Sequence, residues 1–113
     1  MQALLQGRKI EEDDRKQAIL EIVSDKYCRI ILNVTMKKPK SAAEIAAETA
    51  IPISTIYRRL QTLHDNKLVG ISGSINEDGK KYFLYKSRVK SISTNFNLDF
   101  IEMEIVPNKS DLS

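Results

Sequence analysis

Apolar residues recur at helical spacing in the first half of the chain and alternate with polar residues in the last third. The stretch 11–23 opens with four acidic residues, which a helix dipole stabilises in a first turn, and continues with apolar residues at a 3.6-residue period. The stretch 25–36 repeats that period. We therefore predict two helices here, with Ser24 capping the second and Pro39 preventing its continuation.

A capping-box sequence marks the start of a third helix. Ser41 precedes Glu44 by three residues, so the Ser41 hydroxyl can accept the N–H of residue 44 while the Glu44 carboxylate accepts the N–H of residue 41. Ile45 follows as the main apolar residue, among small alanines that allow close packing. This pattern predicts a short helix that ends at about Thr49.

A tight connection over 50–52 leads to a fourth helix. Pro52 biases the residue before it away from helical geometry. Ser54 or Thr55 is suited to cap the helix that follows, which the pattern extends over 54–66. Two short helices separated by about four residues form the helix-turn-helix pattern.

After Lys67 the period changes from that of a helix to that of a strand. The β-prone stretches 68–75 and 80–86 flank an Asn-Glu-Asp-Gly turn, which predicts a hairpin in the position of a wing. Alternating apolar residues within 91–106 flank a second turn and predict a second hairpin with one apolar face. The residues from 107 onward read as a frayed tail.

The predicted helix over 54–66 has two unlike faces. Ile56, Leu60 and Leu63 fall within about 60° of one another and define the face expected to be buried. The outward face has an arginine with hydroxyl residues, and positions 49–64 contain no acidic residue. Such a face suits a DNA major groove, where arginine reads guanine through two hydrogen bonds, whereas a plain solvated helix is the alternative interpretation. The candidate DNA contacts on this helix are Ser54, Thr55, Tyr57, Arg58, Arg59 and Thr62.

Two further places offer contacts to phosphate. The free N–H groups at the start of the third helix form a ready anion site beside Lys40 and Ser41, although capping by Ser41 accounts for that serine equally well. Lys80 and Lys81 follow the turn of the first hairpin. Because that turn carries Glu77–Asp78, we expect the flank of the wing to touch DNA and not its apex.

Composition excludes several classes of site. The chain of 113 residues has one cysteine, Cys28, and one histidine, His64, so it has neither an internal disulfide nor a zinc site of several Cys and His ligands. His64 beside Asp65 has no partnered nucleophile, and the four glycines are scattered, so we expect no enzyme, no cofactor and no phosphate loop. No apolar run approaches membrane-spanning length, and no secretory leader is recognisable, which favours the cytoplasm.

The positive charge is concentrated in one block. The formal net charge is +3, but residues 51–90 have eight basic and three acidic residues, whereas residues 91–113 have one basic and four acidic residues. A basic block inside a folded region is the electrostatic footprint of a phosphate-binding surface, although a chance imbalance on a solvated surface looks similar.

The stretches SDKYCRIILNVT and SAAEIAAETAIPISTIYRRLQTLHDNKLV, followed by a hairpin, resemble the winged helix-turn-helix regulators of the ArsR-like group, notably archaeal ones. The resemblance covers about 14–86. It implies a homodimeric DNA-binding transcription factor. It also implies that Ser54, Thr55, Tyr57, Arg58 and Arg59 contact DNA.

Two features depart from that group. Its metal-sensing members have paired cysteines, and this chain has Cys28 alone, so metal sensing is not supported. Many members end in a dimerisation helix, where this chain has a predicted hairpin. Dimerisation through that hairpin and dimerisation through the N-terminal segment with Leu4 and Leu5 both remain open.

We therefore predict an α+β fold, a single winged helix-turn-helix domain over 1–113 with four helices, a wing and a C-terminal hairpin. It comprises an N-terminal arm (1–10), a core (14–86), the hairpin (91–106) and a tail (107–113). The leading hypothesis is a sequence-specific transcription regulator of the nucleoid that binds double-stranded DNA as a homodimer, with no effector assigned. The alternatives are a protein-interaction adaptor in a transcription assembly and a non-specific chromatin-type DNA binder.

Overall fold

A computed structural model describes residues 7–109 and has four helices followed by antiparallel hairpins. The predicted α+β class, with the arrangement of a winged helix-turn-helix, is confirmed. The elements in chain order are β1 (Arg8–Lys9), α1 (Asp13–Ser24), α2 (Lys26–Val34), α3 (Ala42–Thr49), α4 (Ile53–Asp65), β2 (Val69–Ile75), β3 (Lys81–Ser87), β4 (Val89–Asn97) and β5 (Phe100–Pro107).

The junction between α1 and α2 differs from the prediction by one residue. Ser24 is the last residue of α1, and its hydroxyl donates a hydrogen bond to the Glu21 carbonyl. Asp25 is the N-cap of α2 and accepts the N–H of Cys28 at 2.8 Å. The prediction of Ser24 as the cap was wrong because both residues are good caps and the sequence alone does not show which of them leaves the helical conformation.

The helix-turn-helix follows its predicted course. The capping box at the start of α3 is confirmed, with both reciprocal hydrogen bonds between Ser41 and Glu44 present. Ala50 ends α3 in the left-handed conformation, with φ of 62°. The next helix begins at Ile53 with Pro52 as its N-cap, so Ser54 and Thr55 lie in the first turn and neither caps it.

The hydrophobic core lies between the four helices and the strand residues packed against them. Isoleucine side chains from every helix are fully or almost fully buried in it, and Leu63 and Leu68 are fully buried as well. The predicted inner face of α4 is confirmed, since Ile56, Leu60 and Leu63 are all buried. Burying each such side chain contributes about 1.5–3 kcal/mol, so the orientation of α4 about its axis is strongly fixed.

The wing is the hairpin of β2 and β3. Its turn spans 76–79, where Gly79 has a positive φ of 79° and the Asn76 side chain accepts the N–H groups of residues 78 and 80. The wing is anchored to the start of α3, because Lys40 and Tyr85 exchange two backbone hydrogen bonds of 3.0 and 2.8 Å.

The second sheet has the order β1-β5-β4 and joins the two ends of the described chain. Within the predicted arm, Arg8 and Lys9 pair with β5, and Ile10 is buried in the core. Within the predicted tail, Pro107 ends β5 and Asn108 is buried. Both assignments differ from the prediction because long-range strand pairing orders segments that look irregular by themselves. Leu4, Leu5 and residues 110–113 lie outside the described part of the chain.

The second hairpin has the predicted apolar face, but only part of it is covered. Met103 and Ile105 are buried in the core. Towards the tip, Phe96 on this face remains 69% exposed, Leu98 in the turn is 91% exposed, and Phe100, which pairs with Asn97 on the opposite face, is 54% exposed. Among the helices of residues 7–109, none is long and apolar enough to cross a membrane.

Candidate nucleic-acid interface

The outward face of α4 presents polar side chains to solvent. Ser54, Tyr57, Arg58 and Thr62 are exposed, and Thr55 is half-buried. Gln61 lies on the same face, where its amide donates to Asp65 at 2.8 Å. The helix therefore offers a continuous polar strip opposite its buried isoleucine and leucines, as a groove-binding helix requires.

Arg58 is the most available cation on this strip. It is exposed, and within residues 7–109 no ion pair engages its guanidinium. Its backbone carbonyl accepts the Thr62 hydroxyl at 3.2 Å, which stays within the helix. A planar guanidinium that is held by a packed helix and has no ion-pair partner among the described residues is suited to a bidentate contact.

Arg59 is engaged inside the protein. Its Nε donates to Asp25 Oδ2 at 2.9 Å and its Nη2 to Oδ1 at 3.4 Å, and the guanidinium lies 5.7 Å from the centre of the Tyr27 ring. The Asp25 carboxylate thus caps α2 and also holds α4. A DNA contact by Arg59, as predicted from the sequence, would require this ion pair to be given up.

Acidification tests this link between the two helices. Burial alone would raise the pKa of Asp25, but the hydrogen bonds from Arg59 and the Cys28 N–H outweigh it and hold that pKa below its ordinary value. The stabilisation by the ionised carboxylate is therefore complete above the unfolded-state pKa of about 3.9 and is lost as pH falls through the lower folded-state value. Asp25→Asn keeps the cap but removes the charge.

We expect wild type to exceed Asp25→Asn in free energy of unfolding by a constant amount above about pH 5, with the difference shrinking below about pH 4. Urea unfolding of both proteins across this range measures it. A difference that stays the same down to pH 2 would show that the charge of Asp25 contributes nothing.

Cys28 is buried beside the same ion pair. Burial, together with the neighbouring Asp25 carboxylate, raises the pKa of the Cys28 thiol to about 12. Because the thiolate is the reactive form, this environment favours an inert packing role over a redox function.

Lys40 and Ser41 lie at the start of α3, and both already interact with glutamate side chains of the same helix. The Lys40 ammonium forms an ion pair with Glu48 at 2.7 Å. The backbone N–H of Ser41 donates to the Glu44 carboxylate, and this bond lowers the Glu44 pKa. A phosphate at this helix end would therefore meet the negative charge of Glu44.

The base of the wing packs against the helix-turn-helix, since β2 contacts α4 and β3 contacts α3. Burial raises the pKa of Tyr85 on β3, and the nearby Tyr57 of α4 raises it further. Lys80 and Lys81 lie farther out on the wing, beyond this contact, and both are exposed. The structure thus brings the base of the wing into contact with both α4 and the start of α3.

Sequence reasoning missed the apolar side chains on the inner face of the wing. The strand register places Ile71, Ile75 and Phe83 on the same face as Tyr85, and they are 43%, 68% and 51% exposed. The signal for this face is the alternation of apolar residues along both strands, because residues two positions apart in a strand point to the same side of the sheet. These side chains give the wing an apolar surface between its base and its lysines.

The family model of the IclR helix-turn-helix domain matches residues 31–70, which run from the middle of α2 to the start of β2. This similarity supports a DNA-binding transcription regulator of the helix-turn-helix type. No curated protein matches the chain. The match covers α3, α4 and the turn between them, the elements that form the polar strip. It bears neither on membership of the ArsR-like group nor on an archaeal source.

Proposed function

We propose that this protein is a sequence-specific regulator that binds double-stranded DNA with α4 in the major groove. The observation that carries the proposal is the position of Arg58, which is exposed and free of ion pairs within the described residues on a helix whose opposite face is locked in the core. From there it can donate two hydrogen bonds to O6 and N7 of one guanine.

The residues around Arg58 have supporting roles. Ser54 and Thr55 lie in the first turn of α4, where they can reach base edges or phosphates. In this proposal Tyr57 and Thr62, which are both exposed, contact the DNA backbone. Arg59 holds α4 against α2 through Asp25, so its contribution to binding is the orientation of the helix and not a base contact.

Affinity comes from lysines at the two ends of the surface. Lys80 and Lys81 on the wing flank contact phosphate, while Glu77–Asp78 keep the wing apex out of the groove. Lys40 and Ser41 add a weaker phosphate contact at the start of α3, because Glu48 and Glu44 already engage them. Since such contacts release counterions, binding weakens steeply with salt.

The regulator acts as a homodimer on two half-sites. Two copies of α4 would enter successive major grooves about 34 Å apart. The resemblance to ArsR-like regulators, which are usually homodimers, supports this pairing.

Lys81→Ala tests the phosphate role of the wing. We expect it to weaken binding to every duplex by a similar factor and to reduce the slope of log K against log salt by about 1 for each copy bound. Fluorescence anisotropy with a labelled mixed-sequence duplex, over a series of salt concentrations, measures both quantities. Lys109→Ala, at an exposed lysine two residues beyond the end of β5, is the control and should leave the slope unchanged.

The same titration separates the alternative functions. An unchanged slope in Lys81→Ala would remove the wing from the interface. Binding with a steep salt dependence but equal affinity for every sequence would indicate a chromatin-type binder. No binding by wild type at low salt would contradict the proposal and favour a protein-interaction adaptor.

A further inference from the structure

Strand β4 forms an open edge of the second sheet. In the described part of the chain the sheet order is β1-β5-β4, so one side of β4 has no strand beside it. The strand has nine residues, a length of roughly 30 Å. Positions 91–97 contain neither a charged residue nor a proline. Protein edges are usually protected by such residues, because an unpaired edge templates further strand pairing.

We propose that β4 pairs antiparallel with β4 of a second copy of this chain, so that two three-stranded sheets join into one. This inference rests on the proposed function only in expecting two copies at one DNA site. The surface itself is assigned from the edge strand, a groove beside it and the charges at its two ends.

The groove runs between the helices and the first half of β4. It has a volume of about 300 Å³ and is lined mainly by apolar side chains. Val23 and Leu32 come from α1 and α2, Met36 follows α2, and Ile92 belongs to β4. A groove of this composition accepts an apolar side chain from a strand added at the edge.

The groove and the exposed Phe96 fit each other in one register. Residues directly opposite in an antiparallel pair share a face of the sheet, so a two-fold axis through Thr94 places Ile92 opposite the partner's Phe96. Phe96 is 69% exposed in the single chain. In the pair, each Phe96 covers the groove beside Ile92 of the other copy, and the contact is made twice.

The charges at the ends of the pair are complementary in this register. Asp99 lies in the turn at the tip of the hairpin, while Lys90 and Arg29 lie at the other end of β4 beside the groove. Antiparallel pairing brings the tip of one copy to the base of the other. Each Asp99 then approaches Lys90 and Arg29 across the interface, which favours a second copy of this chain over an unrelated partner.

A lysine on the two-fold axis tests the interface. In Thr94→Lys the two ammonium groups would face each other across the pair, whereas in a single chain the exposed position tolerates the change. Gln17→Lys adds the same charge at an exposed position of α1 and is the control. Sedimentation equilibrium without DNA should give a dimer for wild type and Gln17→Lys, and a dissociation constant at least 10-fold higher for Thr94→Lys.

A charge exchange tests the register. Lys90→Glu alone and Asp99→Lys alone should each weaken the dimer, and the double variant should recover part of the loss, because the attraction between positions 90 and 99 is restored with reversed sign while Arg29 still repels the new lysine. A double variant no tighter than the singles would overturn the register. A wild type that stays monomeric, or a Thr94→Lys dimer as tight as wild type, would overturn the interface.

Binding to a DNA fragment that holds a single half-site keeps this test separate from that of the proposed function. We expect Thr94→Lys to bind the half-site like wild type, since α4 and the wing are unchanged, and to lose affinity for the paired site. If wild type does not bind the half-site, DNA recognition by α4 is contradicted. The sedimentation experiment still tests the β4 interface, because it is done without DNA.

Discussion

Arg58→Ala is expected to remove discrimination at one base pair of each half-site. A bidentate arginine–guanine contact accounts for about 1–3 kcal/mol of discrimination, which corresponds to roughly 5- to 150-fold in affinity. The variant should bind the preferred duplex that much more weakly and lose far less on a scrambled duplex. Competition titrations of both duplexes at one salt concentration measure the ratio.

The control for Arg58→Ala is another exposed arginine outside the proposed surface. Arg8→Ala removes the same charge from β1, which belongs to the second sheet and not to α4 or the wing. It should change both affinities by a similar small factor and leave their ratio intact. If Arg58→Ala kept the wild-type ratio, the outward face of α4 would not be the reading surface.

Asn108→Ala is expected to lower the free energy of unfolding by about 2–4 kcal/mol, since a buried carbonyl left without its donor costs roughly 1–3 kcal/mol and a partly buried one costs less. Asn108 is 6% exposed, and its amide donates to the carbonyls of Met36 and Ser87 at 2.8 and 2.9 Å. It therefore joins the end of β5 to the end of α2 and the base of the wing. Urea unfolding followed by circular dichroism measures the loss.

The neighbouring Lys109→Ala is the matched control for Asn108→Ala. Lys109 is exposed, and an exposed substitution without a structural role changes stability by less than about 0.5 kcal/mol. Equal stability of the two variants would show that the Asn108 hydrogen bonds do not hold the C-terminal hairpin in place.

The helix-turn-helix could be predicted because its signals are local. The Ser41–Glu44 capping box spans four residues, and Pro52 restricts its own neighbourhood. The buried face of α4 follows from a spacing of three or four residues, which the core then preserves. Each of these features depends only on residues that lie within one or two helical turns of one another in the sequence.

The features that were missed depend on contacts between distant segments. Asp25 and Arg59 are 34 positions apart in the chain. A helical wheel places Arg59 on the flank of the outward face of α4, but its guanidinium is engaged in the ion pair with Asp25. Arg8 and Lys9 look like an irregular arm until β5 supplies a partner. Asn108 reads as a polar tail residue because nothing near it in sequence reveals the carbonyls of Met36 and Ser87.

Selection of bound duplexes from a random DNA pool tests sequence-specific recognition most directly. We expect enrichment of an inverted repeat whose half-site centres lie about 10 base pairs apart, with a guanine in each half-site that Arg58→Ala no longer selects. A pool that remains random after repeated rounds, with no duplex retained even at low salt, would contradict the account.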